Sequence, residues 1–386
     1  MSVAQYLDIC CFGRCTRLLS VALLAGGAAF ATPHASAGVI WSTATGGPVD
    51  SSPNVANGLV YVGSNDGSLY ALDATTGLDQ WKFATGGPVS SSPDVANGSV
   101  YFGSNDGGEY ALNATTGLEL WKFVAGGSVN SSPDVANGFV YFGSNDGSLY
   151  ALNAATGKDL WKLGTGGPVN SSPDVANGFV YFGSGDDGVY DVDATTGKLV
   201  WKAPTGGAVE SSPEVVDGVV YVGSDDGGIY ALDAATGKVL WKKNIGGAVQ
   251  SSPDVVSGVV YVGSDDGGIY ALDAATGKVL WKTNTGGPVK SSPEVADGVV
   301  YVGSDDGGVY ALDAATGLVL LKTLTGAPVR SSPDATDGVV YVGSDDKFVY
   351  ALGAVASPAV PEPSTWVLLS LGFVALVAVR RAATIS

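Results

Sequence analysis

Eight polar residues, each directly preceding a copy of Ser-Ser-Pro, are the first place in this chain to look for chemistry. They are Asp50, Ser90, Asn130, Asn170, Glu210, Gln250, Lys290 and Arg330. Gathered around one opening, they would make a binding ring with sectors graded from acidic to basic. As a solvated edge position they would drift among polar types and recognise nothing, and the residue types alone leave both readings open. A second set is the paired carboxylates Asp225-Asp226, Asp265-Asp266 and Asp305-Asp306, each followed by Gly. Clustered carboxylate oxygens suit Ca²⁺, the only metal this composition suggests. The spacing does not match the 12-residue Ca²⁺ loop that closes on a Glu, and Asp-Gly is also ordinary turn chemistry. Asp73, Asp233, Asp273 and Asp313 also recur. Catalysis needs one asymmetric constellation, so a residue present in most units reads as a turn cap. No catalytic residue and no cofactor site is assigned.

The ends narrow the chemistry further. Arg14 and Arg17 precede an apolar run from Leu18 to Ala31, and Ala35-Ser36-Ala37 follows as a small-x-small cleavage sequence. Residues 1–37 therefore read as a secretory signal peptide. Cys10, Cys11, Cys15 and the single histidine, His34, all lie within it. Its removal would leave no disulfide, no thiol nucleophile, no imidazole base and no Cys/His metal site. A lipid-anchored form is disfavoured, because the cysteines precede the apolar run rather than follow it.

The chain has 386 residues with 57 glycines, 45% apolar residues and a formal net charge of −18. That apolar content excludes a disordered polymer and points to a turn-rich fold. The two ends hold four of the 19 basic and two of the 37 acidic residues, leaving 15 and 35 in residues 38–361. So acidic a body repels phosphate backbones, which excludes nucleic acid as a partner.

The elements that must position these residues repeat. Ser-Ser-Pro recurs from Ser51 to Ser331 and Tyr-x-Gly-Ser from Tyr61 to Tyr341, always 40 residues apart. Trp41, Trp81, Trp121, Trp161, Trp201, Trp241 and Trp281 keep the same period, with Leu321 in the eighth place. Such a length suits four short strands. In one unit the expected strands are Val89–Val95, Ser99–Ser104, Glu109–Ala114 and Leu118–Val124. Asn97-Gly98 and Asn105-Asp106-Gly107 supply the tight turns. Pro93 falls inside the first strand, which must then be an edge strand bordering a central channel. A lone outer strand around Trp41 precedes the first unit, and none follows Leu352. Pairing the two closes the ring. The expected fold is an all-β, eight-bladed β-propeller of four-stranded antiparallel blades over 38–357, closed Velcro-fashion by its N-terminal strand.

Ala71-Leu72-Asp73-Ala74-Thr75-Thr76-Gly77, followed by Trp81, resembles the tryptophan-docking motif of PQQ-like repeat propellers. The motif returns at Ala111, Ala151, Ala231 and Ala271, with Asn113 and Asn153 for Asp; Asp191 replaces its first Ala in one further unit. The resemblance implies that each Trp lies flat between adjacent blades, with the junction at Leu321 the softest. It also raises a quinoprotein dehydrogenase as an alternative function. Such enzymes need a quinone pocket with Ca²⁺ ligands, a catalytic Asp and adjacent cysteines, and no insertion here shapes one. At the other end, Pro361-Glu362-Pro363, the apolar run to Val379 and Arg380-Arg381 resemble a PEP-CTERM sorting signal spanning 358–386. This implies a Gram-negative host, a short transmembrane helix and processing by an exosortase-type protease. The function expected is a non-catalytic surface or matrix scaffold toward exopolysaccharide or another surface protein. A periplasmic outer-membrane assembly scaffold is a further alternative.

Overall fold

The computed structural model describes residues 38–356; the secretory segment, the sorting motif and the short transmembrane helix expected at the ends lie outside them. Thirty-two strands run from Val39–Ala44 to Phe348–Gly353 among the described residues, with no helix. They form eight four-stranded antiparallel sheets, seven of them built from consecutive strands. Blades are numbered by their inner strands, 40 residues apart from Asn54–Ala56 in blade 1 to Asp334–Thr336 in blade 8. Blade 2 is representative, with strands Asp94–Ala96, Ser99–Gly103, Gly108–Asn113 and Glu119–Val124 from the inside outward. Its first turn places both Asn97 (φ 51°) and Gly98 (φ 78°) in the left-handed region. That geometry matches the right-handed twist of the strands it joins, and it explains why Asn, Asp or Ser always precedes Gly there.

The inner strand is shorter than the sequence suggests. Its ladder covers Asp94–Ala96, not Val89–Val95, and Pro93 stands just before the strand rather than within it. Pro93 has no N–H to donate, so the ladder cannot begin before Asp94. The preceding backbone turns sideways instead. Val89 N–H donates to Ser64 of blade 1, and Ser92 N–H donates to Ser132 Oγ of blade 3. The other three strands end within a residue of the expected limits.

Closure is as expected. The eighth blade takes Val39–Ala44 as its outer strand, paired antiparallel with Phe348–Gly353. A continuous ring of hydrogen bonds reinforces it. Ser52 N–H donates to Ser92 Oγ, and the same bond runs blade to blade until Ser332 N–H returns to Ser52 Oγ.

The core lies between blades, in eight separate apolar clusters. The middle strands of each blade are buried on both faces, which explains their unbroken apolar runs such as Val100-Tyr101-Phe102. Each Trp docks as the motif implies. Trp81 Nε1 donates to Ala114 O at 3.0 Å, and Tyr61 Oη donates to the same carbonyl. A Cβ on Gly117 would lie 2.7 Å from the Trp81 ring, so that turn must be glycine for the indole to lie flat. Leu321 breaks the pattern. There Tyr301 Oη donates to Val355 O and accepts from Val355 N–H, holding the end of the described chain against blade 7.

Candidate functional site

Along each inner segment, buried residues alternate with half-buried or exposed ones, so positions 50, 52 and 54 and their repeats line the channel in three tiers. The middle tier is the serine ring described above. The other two carry the chemistry.

The first tier holds the eight residues before Ser-Ser-Pro, and the fold brings them into one ring. Facing it is a set the sequence reading did not connect to it: Asn65, Asn105, Asn145, Gly185, Asp225, Asp265, Asp305 and Asp345, which open the second turn of each blade. The two sets interlock around the channel mouth. Asn65 Nδ2 donates to Asp50 at 2.7 Å, and Ser90 Oγ donates to Asn65 Oδ1 at 3.2 Å. Gln250 donates to Glu210 at 3.0 Å. Lys290 lies 4.0 Å from Asp265. Arg330 bridges Asp305 (3.2 Å) and Asp345 (3.0 Å). Burial, reinforced by Asp50, pushes Asp345 up to about 6, and burial likewise raises Glu210 and Asp265. Buried oxygens of Asp50, Asn130, Asn170, Asp225, Asp265 and Asp345 have no partner. The mouth is thus a polar rim with unused acceptors, neutral across Ser90, Asn130 and Asn170 and charged elsewhere, where Lys290 and Arg330 sit among the carboxylates.

The paired carboxylates do not converge. Asp226 accepts from Lys242 at 2.7 Å and Tyr230 at 2.6 Å, at the junction with blade 4. Asp266 and Asp306 repeat this with Lys282 and Tyr270, and with Lys322 and Tyr310. Their neighbours Asp225, Asp265 and Asp305 turn instead to the channel mouth. Burial alone would raise carboxylates such as Asp106, but bonds from Tyr110 and Lys122 outweigh it and hold Asp106 at about 2. Among the described residues no group of three or more His, Cys, Asp and Glu is placed to hold a metal. Asp73 and Asp313 cap their turns, accepting from the hydroxyls of Thr76 and Thr316; Asp233 and Asp273 do the same for Thr236 and Thr276.

The third tier was missed altogether. Asn54, Asp94, Asp134, Asp174, Glu214, Asp254, Glu294 and Asp334 place seven carboxyls and one amide around the channel. Asp94 accepts Val135 N–H of the next blade at 3.0 Å, and Asp134, Asp174, Asp254 and Asp334 do the same in turn. Burial raises Asp94, Asp174 and Asp254, and takes Asp134 to about 6 and Glu214 and Glu294 to about 7, where Asp254 adds like-charge repulsion. The signal was present in the sequence, since the residue after each Ser-Ser-Pro is acidic in seven of eight units.

A planar quinone cofactor needs a flat apolar surface against it. The three tiers offer only Asp, Glu, Asn, Gln, Ser, Lys and Arg, the aromatic rings are packed between blades, and no cysteine lies in 38–356. These residues do not fit PQQ.

The geometry agrees with the comparisons. A PEP-CTERM protein-sorting motif matches residues 359–382, which include Pro361, Glu362 and Pro363. It marks an exported, membrane-associated precursor of a Gram-negative bacterium, processed by an exosortase-type system. No curated protein matches the chain. Among solved structures, the computationally designed Ika8 protein superposes with a TM-score of 0.73 at 20% identity, over 80% of this chain and 97% of its own. BamB from Moraxella catarrhalis gives 0.72 at 19%, over 82% and 99%. A europium-containing methanol dehydrogenase gives 0.70 at 18%, over 82% and 93%. These three likenesses are of fold. A PQQ-repeat family described as outer membrane protein assembly factor BamB matches in overlapping segments, 17–93, 66–173, 145–248, 226–320 and 270–356. Together the segments run through every blade, and the chain belongs to that family of PQQ-like repeat propellers.

Proposed function

We propose that this exported propeller is a non-catalytic binding scaffold that works at the cell surface or in the extracellular matrix, with the channel mouth as its recognition face. One observation carries the reading. The serine ring repeats one bond in all eight blades and the third tier repeats another in five, whereas the mouth tier carries seven residue types at eight positions and leaves buried acceptors unpaired. A rim of that kind suits a ligand rich in hydroxyls or amides, such as a glycan or an exposed protein loop, and Arg330 offers a cationic anchor for a carboxylate. Final release or tethering outside the cell is part of this proposal and is supported by the sorting motif.

Calorimetry tests it, using the full-length protein with neutral and acidic polysaccharides and with Ca²⁺. Binding that is weakened at least tenfold by Arg330→Ser or Asp345→Asn supports a recognition rim. Silence with every ligand reduces the role to a structural one. Reconstitution with PQQ and Ca²⁺ followed by dye-linked alcohol oxidation covers the dehydrogenase alternative, and turnover there would overturn the non-catalytic reading.

A further inference from the structure

Two carboxyl groups break the repeat where the fold cannot solvate them. Glu109 stands in the third strand of blade 2, where the other units carry Leu69, Leu149, Val189, Ile229, Ile269, Val309 and Val349. It is fully buried, and neither carboxylate oxygen has a partner. Its strand position places it on the face that packs against blade 3, beside Tyr101, Ala111 and Trp121. Asp191 stands in the third strand of blade 4, where every other unit has alanine. It is 1% exposed, with Oδ1 unpartnered, and lies opposite Tyr181 and Trp201 at the junction with blade 5.

The groups facing each carboxyl offer no compensation. Around Glu109 they are Asp94 and Tyr101 from its own blade. From blade 3 come Asp134 and Tyr150, the latter bonded to Asp146 and overlain by Lys162. Asp94 is a like charge, and Lys162 lies over the tyrosine ring without an ion pair among the described residues. Around Asp191 they are Asp174, Tyr181 and Asp193 from blade 4, with Glu214, Tyr230, Asp226 and Lys242 from blade 5. Lys242 is already engaged by Asp226. An ionised carboxylate at either junction would therefore have neither donor nor counter-ion, so both groups hold their protons well above the usual carboxylate range.

We propose that these two junctions are pH-operated: they close fully when Glu109 and Asp191 are protonated and loosen on ionisation, releasing blades 3 and 4 as one segment between two weakened seams. Opening a seam hydrates its carboxyl and returns it to ordinary acidity. Between the ordinary and the buried value, the opening equilibrium then rises about tenfold per pH unit for each carboxyl. The remaining six junctions carry apolar residues at both places and have no such dependence from this source.

Amide hydrogen exchange on the full-length protein, corrected for intrinsic rates, reads this directly at about pH 5.5 and about pH 8. Opening in the middle strands of blades 2 to 5 should rise at least tenfold relative to blades 6 and 7. Glu109→Leu, which restores the residue of two other units, should abolish the rise at the first seam, and Asp191→Ala at the second. Glu109→Gln keeps the shape, removes the charge, and should flatten the first seam as well. A rise spread evenly around the ring, no rise at all, or one that survives Glu109→Leu and Asp191→Ala would overturn the proposal.

Discussion

At the scale of single residues, the docking indole is the unit of cohesion between blades. Trp201 buries its ring at one junction and donates to Ala234 O at 2.9 Å. Trp201→Leu removes that bond and about half the ring's contact area, which should cost about 2–3 kcal/mol. Leu321→Ala, at the junction that has no indole, should cost less because Leu321 is only half-buried. Denaturant midpoints of the two variants give the comparison, and equal losses would contradict it. A second residue is strained rather than missing. Lys347 adopts φ 75° where most other units place glycine. Lys347→Gly should raise stability by about 1 kcal/mol, read as a higher denaturation midpoint. The tryptophans were legible in the sequence because a 40-residue period exposes a residue that recurs in seven of eight units. Glu109 was not, because nothing in one unit says which face of a doubly buried strand a lone carboxylate will meet.

At the scale of elements, blade 8 is the odd one. Its outer strand comes from the other end of the chain and carries Ser42 where the others carry Lys, so Asp346 and Tyr350 lack the lysine that Asp226 and Tyr230 have. Gly353 replaces the turn-capping Asp or Asn. The compensation is the reciprocal pair of bonds between Tyr301 and Val355. Truncation after Ala356 should therefore leave the ring intact, whereas truncation after Gly353 should lower the melting temperature by several degrees, with protease nicking first in blade 8. Ring closure was legible in the sequence because strand counting leaves one outer strand without a blade and one blade without an outer strand. The true length of the inner strands was not, because the ladder is displaced by bonds to the neighbouring blades, which no single repeat displays. The same limit hid the candidate site. The variable ring at Asp50 to Arg330 could be read from one position, but its interlock with Asn65 and Asp345 joins turns of different blades.

For the whole molecule, two populations of carboxylates pull stability in opposite directions with pH. Those typified by Asp106 are held low by tyrosine and lysine bonds, so they stabilise the fold above the ordinary carboxylate value and lose that contribution as pH falls towards about 2. Asp134, Glu214 and Glu294 of the third tier are raised by burial and by neighbouring carboxylates. Their contribution is complete below the ordinary value and is lost as pH climbs through about 6 at Asp134 and about 7 at Glu214 and Glu294. The two windows overlap only in mild acid, so thermal stability should peak at roughly pH 5 and fall on both sides. Calorimetric melting from about pH 3 to about pH 8 measures this. Glu214→Gln and Glu294→Gln together should make the alkaline limb shallower, the remainder belonging to Asp134, Glu109 and Asp191, while leaving the acid limb in place. A melting temperature that keeps rising from pH 5 to pH 8 would mean that the channel carboxylates are solvated well enough to ionise freely. The bonds they accept from the next blade would then outweigh the cost of their burial.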